Sequence, residues 1–196
     1  MFNVNPKPSN IPVAAQDLLE FWFSADVQPL WFHSTPKFDH EIKCRFEHLW
    51  QQLQKDPQSD RFTEWSQTPE GVLALCILFD QLPLNMYRGE SSSFQTESLA
   101  IDVAKQGITN GFDQQIAHDK LMFFYMPLMH SEKLEDQNQS VALFSKAGLI
   151  HNLRFAQHHQ RLIKRFGRFP HRNAILGRNS TQDEMEYLDS KEAFRG

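Results

Sequence analysis

Between His151 and Arg178 the chain carries Arg154, Arg161, Lys164, Arg165, Arg168, Arg172 and Arg178 and no acidic residue. The formal net charge is −4, so the rest of the chain sums to −11. A one-signed segment in an acidic protein is an uneven field that draws anions. A guanidinium pairs with carboxylate or phosphate through two parallel N–H bonds, so Arg165, Arg168, Arg172 and Arg178 are candidate clamps. The competing reading is internal: the same arginines neutralise acids of other helices, such as Asp80, Glu132 and Asp136.

Other polar groups stand in apolar surroundings. Asp80-Gln81 follows the apolar run Val72 to Phe79, and Gln81, Asn85 and Arg88 fall on one helical face. A buried Asp80 needs a partner, and the arginine stretch is one source. Gln137 sits on the stripe of Leu134, Val141 and Phe144, where an apolar residue is expected. His130, beside Ser131 and Glu132, and His159 are the candidate general bases. His159 lies on the apolar arc of its helix. That suits either a core histidine bonded to a carbonyl or a proton-transfer group at a pocket edge. His171 and Asn173 complete the candidate ligand set. No HExxH, CxxC pair, calcium loop, GxSxG elbow or phosphate loop is present, so no metal or cofactor is expected.

These residues need helices to hold them. The spacing predicts helices over about 12–24, 36–55, 69–79 and onward, 93–106, 114–126 (stopping at Pro127) and 132–147, the last capped by Ser131. The helix carrying Leu162, Ile163 and Phe166 should stop at Gly167. Its residues His151, Arg154, His158, Arg161 and Arg165 share a face. Pro170 opens a short helix ending near Gly177, and Thr181 with Glu184 forms a capping box for the last one. Arg168 and Arg172 flank a helix start, where the dipole and free N–H groups favour an anion. They should therefore outweigh Arg154 and Arg161. Asp80, His130 and Arg165 are expected to converge in one cavity. No stretch alternates as a strand.

The segment RFGRFPHRNAILGRNSTQDE, with DQLPLN at 80–85 and PLMHSE at 127–132, resembles the DUF924 family of bacterial proteins. Phe21-Trp22-Phe23 and Trp31-Phe32 fit the same family. The resemblance runs from about Leu18 to Leu188. It implies an all-α fold of antiparallel helix pairs like a tetratricopeptide superhelix, and it supplies no function. The family pattern usually has Arg where this chain has Leu84, which weakens any role needing a cation there.

Length and 40% hydrophobic residues suit one folded domain, over 12–190, after a flexible lead-in at 1–11. Cys44 and Cys76 lie in helical patterns and read as buried thiols of a reducing compartment. No signal architecture or membrane span is evident, so the protein is expected to be cytoplasmic. A pI near 6.1 argues against nucleic acid as a partner. The primary functional reading is a binding module with a basic pocket for an anionic small molecule or peptide carboxylate. The alternative is a hydrolase-type enzyme using His130 or His159 as general base.

Overall fold

The computed structural model describes residues 14–194 of the chain. The expectation for residues 1–11 lies outside them. The elements are α1 Ala15–Trp22, α2 Pro36–Lys55, α3 Asp60–Ser66, α4 Pro69–Cys76, a π-helical turn Ile77–Gln81, α5 Leu82–Met86, α6 Glu97–Thr109, α7 Met122–His130, α8 Leu134–Lys146, α9 Ile150–Phe166 and α10 Gln182–Asp189. Among the described residues there is no strand, so the fold is all-α.

Helix α4 is the centre. Val72 to Phe79 are 0–1% exposed, because no face of this run is polar. Helices α1, α3, α6 and α7 pack around it. Short connections then fold α7, α8 and α9 back on one another. Trp22, Phe79, Phe123, Phe124 and Phe144 fill the main core. A smaller apolar cluster of Leu162, Ile163, Phe169 and Tyr187 lies between α9 and α10.

Several sequence expectations are corrected. Helix α3 was not anticipated; Ser59 caps it through the Phe62 N–H. Helix α6 passes through Gly107 rather than stopping before it. A Cβ at Gly107 would lie 2.7 Å from both Phe124 and Val72, so this glycine serves helix packing, not helix termination. Pro127 lies inside α7 instead of ending the preceding helix. Proline removes one hydrogen bond, but here seven consecutive residues, Phe123 to Met129, are buried and hold the helix together. Residues 113–115 form only a 3₁₀ turn. Ser131 is not the N-cap of α8, which begins after Lys133; its hydroxyl accepts the Lys133 N–H and donates to Asp136. Cys44 is exposed, whereas Cys76 is buried as expected. Gly167 has φ +71° and ends α9, and the Thr181–Glu184 capping box is formed.

Candidate functional site

The π turn widens the helix just where Asp80 and Gln81 leave the apolar run, and both are buried. Asp80 Oδ1 accepts a hydrogen bond from His130 Nδ1 at 2.7 Å, and its Oδ2 accepts one from Gln81 Nε2 at 2.5 Å. A carboxylate only accepts, so Nδ1 of His130 carries a proton toward Asp80, and Nε2 is the ring nitrogen left for another partner. Nε2 has no hydrogen bond among the described residues, and the His130 side chain is 15% exposed. Gln137 explains how His130 is held at the end of α7. Its Nε2 donates to Met129 O at 2.6 Å and Ser131 O at 2.7 Å, tying α8 to that helix end. The partner of Asp80 is thus a histidine, not one of the arginines. Asp136, likewise, pairs with Lys105.

The arginines that were candidate clamps hold acids of the chain itself. Arg172 donates to Glu97 at 2.7 Å and to the His130 carbonyl at 3.0 Å, with its guanidinium between the rings of Phe94 and Phe169. Arg178 grips Glu132 through two N–H groups at 2.7 and 3.0 Å. Arg168 grips Glu184 at 2.6 and 2.8 Å, and Asn173 donates to the same carboxylate at 3.2 Å. The Phe169 N–H, at the break expected to attract an external anion, donates to Glu132 at 2.8 Å. The helix at Pro170 is a three-residue 3₁₀ turn and has no useful dipole. Arg168 and Arg172, expected to outweigh Arg154 and Arg161 at an anion, are thus engaged by Glu184 and Glu97 of the chain itself.

The carboxyl groups respond to these surroundings. Arg168 beside Glu184 pulls its pKa down to about 2. Burial opposes ionisation of Glu132, but Arg178 and the Phe169 N–H outweigh it and hold the group below its ordinary value. For Glu97 burial wins despite Arg172, and its pKa is raised.

Asn85 and Arg88 belong to a different cluster. Both donate to Asp39 on α2, and Asn85 also reaches Ser34; Gln81 does not join them. Leu84 is only partly buried.

Arg165 does not converge with Asp80 and His130. It pairs with Asp183 of α10 on the surface. There it lines a cavity of about 600 Å³ with His158, Arg161, Leu162, Tyr187 and Glu192. Arg161 makes no ion pair or hydrogen bond with any described residue. The face shared by His158, Arg161 and Arg165 thus walls a cleft. Arg161 and His158 were not in the candidate set, because helical spacing groups them on one face but does not show what that face meets.

His159 is a core histidine. Its Nδ1–H donates to the Phe155 carbonyl at 2.8 Å, and burial, followed by the nearby His130, lowers its pKa to about 3. Burial and then Arg172 lower His171 to about 4. The rings of His130 and His159 lie 6.3 Å apart. Among the described residues no group of three or more His, Cys, Asp or Glu side chains is placed to hold a metal ion. Glu97 and Glu184 are site residues that sequence reasoning left out of the candidate set. Only the capping box marked Glu184, and nothing local marks Glu97.

The fold and these clusters define a single-domain, all-helical protein with a polar seam between α4, α7 and the chain after α9. The chain belongs to the DUF924 family, described as bacterial protein of unknown function, whose profile matches residues 18–192. A solved protein of unknown function from Agrobacterium tumefaciens is 34% identical, with a TM-score of 0.81 over 89% of this chain and 96% of that one. No curated protein matches the chain.

Proposed function

We propose that the protein is a binding module for an anionic small molecule or a peptide carboxylate, and that the cleft on α9 is where it binds. The observation that carries this is Arg161, a cation with no partner among the described residues, in the wall of a cavity of about 600 Å³. Arg165 and His158 stand on the same helical face, one turn to either side. A ligand-sized concavity with converging polar groups is the usual form of a small-molecule site. A scaffold of tetratricopeptide-like helix pairs suits this role, and we place the protein in the cytoplasm on its two free cysteines. No helix among the described residues is long and apolar enough to cross a membrane.

The test is calorimetry and thermal melting with phosphate, acetate, citrate and N-acetyl amino acids. At least one of them should raise the melting temperature of the wild type. Arg161→Ala should weaken that ligand by about tenfold, the loss of one charge-assisted contact, without lowering the melt of the free protein. A panel that stabilises nothing, or an Arg161→Ala protein that responds as the wild type does, removes this reading.

A second reading rests on a separate observation. The Asp80–His130 pair orients an imidazole with an unpartnered Nε2, the arrangement of a general base, and the protonation-prone Glu97 is joined to it through Arg172. As a hydrolase, the protein would cleave esters or amides, with His130 Nε2 taking the proton of the attacking water. A panel of such substrates on wild type and His130→Gln decides; equal rates in the two proteins exclude it.

A further inference from the structure

The ring of Phe194, after the last helix, sits in a seat built largely from imidazoles. Its centroid is 4.7 Å from that of His159, 5.1 Å from His171 and 6.0 Å from His158. Phe169 backs His159 and His171 at 5.2 and 5.6 Å. The Phe194 N–H donates to Tyr187 Oη at 2.8 Å, and that hydroxyl donates to the Glu192 carbonyl at 3.3 Å. Among the described residues the segment's other hydrogen bonds are local, to Ser190; Ala193 and Phe194 pack against the Leu162, Ile163, Phe169 and Tyr187 cluster, and Phe194 is half-buried. His171 Nδ1 is shut off from water with no partner, which buried polar atoms seldom are. His158 and Tyr187 also line the α9 cleft, so seat and cleft adjoin.

We propose that this seat is the aromatic half of the cleft, that it takes an acylated aromatic amino acid, free or at the end of a peptide, and that Phe194 is the chain's own stand-in for that residue. The inference rests on the cleft being an anion site and names its ligand. The benzyl group replaces the Phe194 ring, the ligand's amide N–H takes the place of the Phe194 N–H on Tyr187, and the carboxylate lies toward Arg161. An aromatic group is preferred over an aliphatic one because the contacts are edge-to-face. The Phe194 ring meets His159 at 67° and His171 at 75°, a geometry that adds to simple area burial. Burial keeps both imidazoles uncharged, so the seat stays apolar at neutral pH. A tethered occupant competes at high effective concentration, so the wild type binds an external ligand more weakly than a protein whose seat is empty.

The experiment is calorimetry with imidazole NMR on wild type, Phe194→Ala and Phe194→Leu. The probes are N-acetyl-phenylalanine, its amide, N-acetyl-glycine and a short peptide ending in Phe. N-acetyl-phenylalanine should bind Phe194→Ala about tenfold or more tighter than wild type and shift the His159 and His171 resonances. N-acetyl-glycine should be weaker by about tenfold or more. Phe194→Leu, which keeps the seat filled, should fold like the wild type and bind between the two. Comparing the peptide with the free amino acid tells which source fits better. Equal affinity of wild type and Phe194→Ala, or of the glycine and phenylalanine probes, overturns the seat even where anions bind the cleft. Equal affinity of acid and amide leaves the ring seat standing and removes the anion reading.

Discussion

Glu132 receives the Phe169 backbone N–H at 2.8 Å while both oxygens are held by Arg178. A carboxylate from the turn between α7 and α8 thus occupies the turn after α9, where an incoming anion would otherwise have found N–H groups and positive charge. The arginine-rich motif is a lock on the chain's own acids, whereas on α9 Arg161, like Arg154 and Lys164, makes no ion pair with a described residue.

Arg172→Ala should be strongly destabilising. It strands Glu97 and the His130 carbonyl, and breaking one half of a buried pair costs about 3–5 kcal/mol. Arg161→Ala should stay within about 0.5 kcal/mol of wild type, as surface changes do. Urea denaturation of both variants checks this; equal losses would falsify the division between locked and free arginines.

Glu184 carries a pH prediction. Its pKa falls from 4.5 to about 2 in the folded protein, chiefly through Arg168. The folded state therefore binds fewer protons than the unfolded one in that interval. The stabilisation is complete above about pH 4.5 and is lost as pH falls toward about 2. Denaturation midpoints across this window should drop more steeply in wild type than in Glu184→Gln.

The buried imidazoles act earlier on the acid side. His159 and His171 are lowered from 6.5 to about 3 and about 4, so both remain neutral in the folded chain while the unfolded chain takes up protons. Stability is full above about pH 6.5 and declines below it, for His171 until about pH 4 and for His159 until about pH 3. Urea midpoints between neutral pH and pH 5 should fall less in His171→Asn than in wild type. NMR titration should show both rings still neutral where an ordinary imidazole is mostly charged.

Gly107→Ala should destabilise, although alanine is the better helix former by about 1 kcal/mol. The new methyl meets Phe124 and Val72 at 2.7 Å, and forcing volume into a packed core costs about 1–3 kcal/mol. A thermal melt at or above that of wild type would show that α6 and α7 part easily.

Local chemistry made much of this legible in the letters. The all-round apolarity of Val72 to Phe79, the stop at Gly167 and the Thr181–Glu184 box depend on neighbours within a turn or two, so sequence alone determined them. Gln137 also declared itself, as a polar residue on an apolar stripe. Which acid each arginine meets is another matter. Arg172 and Glu97 are 75 positions apart, and Arg178 and Glu132 are 46. No periodicity records such pairings, and surplus acid elsewhere in the chain offered many equivalent partners. Packing of α6, the turn between α7 and α8, and α10 around the turn after α9 made the choice. It spent Arg168, Arg172 and Arg178 internally, gave Asp80 a histidine, and left Arg161 free beside a seat filled by Phe194.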